Sequence, residues 1–215
     1  MLHNLSHENS IINQFVSELR DIEIQKDRMR FRRNLVRIGE IFAYEISKRM
    51  IFKMKEVTTS LGIANVPVLQ EQPIIGTILR AGLPLHEGML SFFDQADNAF
   101  ISAYRKHHKD GTFDIKLEYV SSPDLKDRIL ILCDPMLATG SSIVMTYKAL
   151  MDRGIPKHTH IVSALASTQG IEHVKSQLSE NITIWSAAVD EELTAQAYIV
   201  PGLGDAGDLA YGLKL

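Results

Sequence analysis

Five short stretches of this chain are dominated by apolar residues and bounded by polar or turn-forming ones: Ile74 to Leu79, Phe100 to Tyr104, Ile129 to Cys133, Ile161 to Ala166 and Ile182 to Ala187. Runs this short and this continuous predict strands buried on both faces, as in a parallel sheet. Between them the period changes. Phe31, Leu35, Ile38, Ile41, Phe42 and Ile46 recur at helical spacing within Lys26 to Met50, which predicts a long amphipathic helix. The arginines of Arg30-Phe31-Arg32-Arg33 read as its solvated face. A helix is expected from Leu83 onward, another over Ile143 to Arg153, stopped by Gly154 and Pro156, and a third opening at Ser167 to Ile171. Strand and helix patterns alternate without repeats. The expected fold is therefore α/β, a mainly parallel twisted sheet flanked by helices, with a helical segment at the N-terminus.

Composition narrows this picture. With 215 residues, 45% of them apolar, the chain can bury one good core, so residues 1–215 are read as a single domain. A formal charge of −3 gives no overall basic footprint, which argues against broad nucleic-acid binding. Cys133 is the only cysteine and lies inside an apolar run, so no intrachain disulfide exists and a reducing compartment is expected. No stretch reaches about eighteen consecutive apolar residues, and the first ten residues lack a basic region followed by an apolar one. A soluble cytoplasmic protein without a membrane partner is the expectation.

The chemistry concentrates where strands end. Asp134 follows the apolar run Ile129 to Cys133, and Ala138, Thr139, Gly140, Ser141 and Ser142 then lead into a helix. Small residues at a helix N-terminus let backbone N–H groups converge on an anion, aided by the helix dipole. Without Gly-Lys-Ser or Gly-Lys-Thr the loop is not a nucleoside triphosphatase cradle. Arg80-Ala81-Gly82 forms a second turn at a strand end, where an arginine can neutralise a diphosphate. Gly202, Gly204 and Gly207 match a dinucleotide fingerprint in spacing, but only eight residues come after them, too few for the βαβ unit it requires. Adjacent His107 and His108 read as a solvated hairpin tip, Trp185 as packing, and Asp190, Glu191 and Glu192 as a polar loop.

Three segments together carry a family resemblance. Asp134 to Ser142, DPMLATGSS, resembles the phosphoribosyl diphosphate (PRPP) loop of uracil phosphoribosyltransferases; Thr77 to Met89, TILRAGLPLHEGM, is similar to their pyrophosphate loop, and Tyr198 to Gly207, YIVPGLGDAG, to their uracil segment. The resemblance covers nearly the whole chain and implies a type I phosphoribosyltransferase fold with a C-terminal base-binding segment. It implies transfer of the 5-phosphoribosyl group from PRPP to N1 of uracil, giving UMP and diphosphate. PRPP would be held by Arg80, Arg105, Asp134, Pro135, Met136, Leu137, Ala138, Thr139, Gly140, Ser141, Ser142 and Asp205. Uracil would meet Ile199, Gly204, Asp205 and Ala206, largely through backbone groups. Arg80, Arg105, Asp134 and Asp205 would be the catalytic set, with Mg²⁺ carried in on PRPP rather than in a protein metal site. Such pyrophosphate loops can carry a cis peptide, and the residues after Arg105 form a mobile arm in relatives. The helix ending in Tyr44-Glu45 resembles one that helps relatives dimerise, so a homodimer is expected.

This chain departs from the family pattern in three places. Gly140-Ser141 stands where two glycines are usual, Pro84-Leu85-His86 replaces a less constrained segment, and Leu209-Ala210-Tyr211 replaces a basic residue and an aromatic. Two other readings share the PRPP machinery: a phosphoribosyltransferase for a different base, and a non-catalytic PRPP or nucleotide sensor acting on RNA or a partner protein.

Overall fold

The structure, a computed structural model, describes residues 1–107, 113–178 and 181–213, with the side chains of 103–107 and 113–116 outside that description. In chain order the elements are β1 (Leu2–Asn4), α1 (Ile11–Arg20), α2 (Arg28–Ser47), β2 (Phe52–Thr59), β3 (Gly62–Leu69), β4 (Ile74–Leu79) and α3 (Leu83–Leu90). Next come β5 (Asp97–His107), β6 (Phe113–Ser121), β7 (Ile129–Cys133), β8 (Met136–Leu137), α4 (Ser141–Leu150), β9 (His158–Ser167) and α5 (Thr168–Gln177). The last elements are β10 (Ile182–Asp190), β11 (Glu192–Leu193), β12 (Ile199–Val200) and α6 (Ala206–Tyr211).

Strands β1, β10, β9, β7, β4, β5 and β6 lie side by side in that order, β8 adding a short second pairing to β9. Every pairing in this sheet is parallel except β5 with β6, so the α/β expectation is borne out. Both faces are covered. Trp185, Phe31, Leu35, Phe42 and Leu85 fill the core beneath α1, α2 and α3, and Leu130, Leu132, Ile143, Leu150 and Val174 fill the one beneath α4 and α5. Strand β10 is longer than its apolar run, because Ala188, Val189 and the buried polar Asp190 keep pairing with β9. Strand β5 likewise extends well beyond Phe100 to Tyr104. Strands β2 and β3 form a separate antiparallel ribbon whose residues are mostly exposed. No helix among the described residues is long and apolar enough to cross a membrane.

The long helix α2 begins where Asp27 accepts hydrogen bonds from the backbone N–H groups of Met29 and Arg30 at 2.9 and 3.1 Å. Its arginine face is not simply solvated. Arg30 Nε donates to buried Glu18 at 2.7 Å, Asn34 donates to the same carboxylate at 2.7 Å, and Gln14 at 3.1 Å. The bond from Arg30, then those from Asn34 and Gln14, hold the Glu18 carboxyl at about 2, below its ordinary 4.5. A carboxyl depressed in the folded state stabilises fully above its unfolded pKa, and that contribution disappears as pH falls toward the folded value. Glu18→Gln should therefore unfold at lower urea concentration than the parent at neutral pH. The gap should close between about pH 4.5 and about pH 2, and a gap independent of pH would exclude the assignment.

Candidate active site

Strand β7 delivers Asp134 to the carboxyl edge of the sheet, where open α/β sheets bind ligands. The chain does not leave the sheet at once: the Asp134 N–H donates to the Val162 carbonyl at 3.0 Å, and the Pro135 carbonyl accepts from Leu165 N–H at 3.0 Å. Met136 and Leu137 then pair with Leu165 and Ala166, so the first half of the loop is pinned to β9. Pro135 and Leu137 are buried. Only from Ala138 does the chain turn, and Gly140 takes φ +77°, a left-handed conformation, immediately before α4. A small recess results, lined by Asp134, Met136, Leu137, Ala138, Thr139, Gly140, Ser142 and Ile143. The first turn of α4 borders it, with N–H groups that a helix start leaves without partners inside the helix, that of Ser141 donating to Thr139 Oγ1 at 3.3 Å. The Thr139 hydroxyl donates to Ser141 Oγ at 3.1 Å, so the second hydroxyl keeps its own hydrogen for another acceptor.

Helix α5 backs this loop. The Ser167 hydroxyl is fully buried, donates to the Ala138 carbonyl at 2.5 Å and accepts the Gly170 N–H at 2.8 Å. A Cβ on Gly170 would strike the carbonyls of Ala138 and Leu137, and one on Gly140 would lie 2.8 Å from the Gly170 carbonyl. In the sequence alone Ser167 marks only the opening of a helix. A serine at a helix start signals an N-cap, which does not say what else the hydroxyl holds.

The second turn lies beside the first, because β4 and β7 are neighbours with Thr77 opposite Cys133. Gly82 sits so close to the Cys133 carbonyl that a Cβ there would come within 2.9 Å of it. The Leu79–Arg80 peptide is cis. Arg80 points to the C-terminal segment, donating to Asp208 Oδ1 at 3.1 Å and to the Gly212 carbonyl at 3.3 Å. That segment runs from β12 through a cis Val200–Pro201 peptide to α6. Asp205 caps α6, its Oδ1 accepting from the N–H groups of Gly207 and Asp208 at 2.8 and 3.0 Å. The Ile199 and Ala206 side chains are buried in the core, which leaves backbone rather than side chain to meet a ligand there. Gly204, by contrast, is exposed.

The three segments thus meet at one sheet edge. Arg105 lies on β5, its backbone opposite Ile115, but its side chain is outside the described residues, as are His107's side chain and His108 altogether. Two sequence expectations need correction. Asp190 belongs to β10 rather than a polar loop, because it is buried against Arg20 at 2.7 Å. Arg32, read as solvated, donates to the Ala210 carbonyl at 2.7 Å and lies over the Tyr211 ring.

Cys133 immediately precedes Asp134. Complete burial, with the Asp134 charge second, pushes its thiol far above the ordinary range. A thiol-specific disulfide reagent should leave the native protein unmodified and react only as fast as the protein unfolds. Rapid labelling under native conditions would contradict this packing.

Comparison with known proteins is consistent with this geometry. The sequence model of the family described as "Uracil phosphoribosyltransferase" matches residues 6–212. A uracil phosphoribosyltransferase of Porphyromonas gingivalis is 54% identical over 212 residues, covering 99% of this chain and 98% of that protein. One from Thermococcus gammatolerans is 37% identical, covering 97% and 92%. Among solved structures, a protein from Aquifex aeolicus aligns over 100% of both chains with a TM-score of 0.87 at 30% identity. An adenine phosphoribosyl transferase from Trypanosoma brucei aligns over 80% of this chain and 69% of its own with a TM-score of 0.52 at 12% identity, a likeness of fold alone.

Proposed function

The chain belongs to the uracil phosphoribosyltransferase family, which transfers the 5-phosphoribosyl group of PRPP to uracil, and we propose that its three convergent segments divide that reaction among them. One observation carries the proposal: Gly82 packs on the carbonyl of Cys133 while Arg80 bonds to Asp208 and Gly212, so phosphate loop, arginine turn and C-terminal segment share one edge. Ala138 to Ser142 hold the 5′-phosphate against the first turn of α4, with Pro135, Met136 and Leu137 as the frame tied to β9. Asp134 accepts hydrogen bonds from the ribose hydroxyls. Backbone groups of Ile199, Gly204 and Ala206 recognise the edge of the base, a rigid arrangement in which a mismatched donor or acceptor is costly.

Bond breaking at the anomeric carbon places positive charge on the ribose and negative charge on the departing diphosphate. Arg80, released from Asp208 to the diphosphate, and Arg105 stabilise the leaving group, while Asp134 and Asp205 orient the ribose and favour its positive charge. No covalent nucleophile is invoked. Among the described residues no three His, Cys, Asp or Glu side chains cluster as a metal cage. Mg²⁺ is read as arriving on PRPP, where substrate oxygens and the Asp134 carboxylate would hold it. When bound, the ion offsets charge on the diphosphate.

The active form is read as a homodimer in the cytoplasm. Tyr44 is exposed near the end of α2, and the β2–β3 ribbon exposes Phe52, Met54, Ile63 and Val66, which supports association. Light scattering at micromolar protein should give twice the 24.1 kDa chain mass. The free, buried Cys133 suits a reducing compartment.

The deciding experiment incubates the protein with PRPP, Mg²⁺ and separately uracil, cytosine, thymine, hypoxanthine, adenine or orotate, and follows products by chromatography. UMP from uracil alone is expected. Another nucleotide would overturn the base assignment, and PRPP binding without product would favour the sensor.

A further inference from the structure

The turn that leads to the base-binding residues carries two glycines in left-handed conformations, Gly202 at φ +57° and Gly204 at φ +98°. Such a turn has little stiffness of its own. It is held from outside by the N-terminal helical segment. Arg20, the last residue of α1, forks onto Asp190 at 2.8 and 2.7 Å and donates from the same guanidinium to the Gly202 carbonyl at 3.0 Å. Asp190 in turn accepts the Gly202 N–H at 3.0 Å, so both backbone groups of that residue are secured by one ion pair. The next residue is secured as well. With the Gln25 amide oriented to satisfy its neighbours, its nitrogen donates to the Leu203 carbonyl at 2.8 Å and the Leu19 carbonyl at 3.3 Å. Asp190 is buried, Arg20 is largely so, and the contact spans 170 positions of the chain.

Gly204 lacks such ties. Among the described residues, neither of its backbone groups is engaged, although Gly202 and Leu203 directly before it are both fixed. A site that reads a planar base through main-chain groups works only if the turn is held to about half an ångström. We infer that Arg20, Asp190 and Gln25 are positioning residues for the base: without touching it, they hold the Gly202–Leu203 turn so that Gly204 and Ala206 present their backbone to uracil. The inference rests on the reading of residues 199–206 as the base site.

The test is a steady-state series on the full chain with Arg20→Lys, which keeps the charge but not the fork, and the neutral pair Arg20→Gln with Asp190→Asn, which avoids a buried unpaired carboxylate. The KM for uracil should rise about tenfold in both while the KM for PRPP stays within about twofold, because a small misplacement affects only the substrate it positions. The preference for uracil over cytosine in kcat/KM should narrow in parallel. Unchanged uracil KM, or both KM values rising together with a fall in melting temperature, would reduce the contact to a structural one and overturn the inference. Gly204→Ala separates the two levels. If it raises the uracil KM and the Arg20 variants do not, the base site stands and the brace fails; if it also has no effect, the base-site reading fails and takes the brace with it.

Discussion

Arg80→Ala should slow turnover by roughly 10²-fold or more, the scale of losing one preorganised donor aimed at charge that develops in the transition state. Arg80 directly follows β4, a strand adjacent to the one that Asp134 follows, so its guanidinium reaches the same edge as the phosphate loop. Its present partners, Asp208 and the Gly212 carbonyl, can be exchanged for a diphosphate whose paired oxygens suit the planar fork better than a single carboxylate oxygen does. Since the pair with Asp208 is 39% and 27% exposed at its two side chains, it contributes little to the fold, on the order of 0–1 kcal/mol. The variant should therefore melt close to the parent, and its lost rate will not reflect unfolding. Arg80→Lys should recover only part of the activity, because the charge returns without the fork. A kcat within about threefold of the parent in Arg80→Ala would remove this residue from leaving-group stabilisation.

Replacing Gly170 by Ala should damage PRPP binding from behind the site. The added methyl would meet the carbonyls of Ala138 and Leu137, backbone that is already fixed by pairing to β9 and by the Ser167 hydroxyl. Neither side can yield cheaply. Overpacking of this kind costs typically about 1–3 kcal/mol. A loop pushed outward by about an ångström should raise the PRPP KM roughly 10²-fold. Uracil KM should change little, since the C-terminal segment does not touch α5 through any of these bonds. Retained PRPP affinity in a destabilised variant would mean that α5 supports the fold without setting the loop.

What could be read from sequence was what local pattern encodes. The run Ile129 to Cys133, ended by an acid and followed by small residues, announced both the buried strand and the recess beyond it. The β2–β3 ribbon was not announced. Its strands are exposed on both faces, so no core side imposes a sustained alternation of apolar and polar residues. The edge strand β1 was missed because three residues, two of them polar, pair with a strand more than 170 positions away. Asp190 misled for a related reason. Beside Glu191 and Glu192 it looks like a solvated acid, and its partner Arg20 leaves no trace in the neighbouring sequence. Hydroxyls such as Ser167 carry a capping signal whatever second bond they make.

The adjacency of β4 and β7 also bears on how such a protein can change over time. Main-chain hydrogen bonds keep the strands that deliver Arg80 and Asp134 one strand spacing apart, about 4.8 Å, in a register that runs from Ile74 with Leu130 to Thr77 with Cys133. Point substitutions cannot lengthen that ruler, and only a slip of a whole strand would alter it, turning every side chain of that strand to the opposite face. On the proposed assignment of Arg80 and Asp134, the donor half of the site is therefore evolutionarily stiff. On that assignment the acceptor half, set by a glycine-bearing turn and its side-chain braces, would drift one residue at a time, and new bases would be reached more readily than new sugar donors.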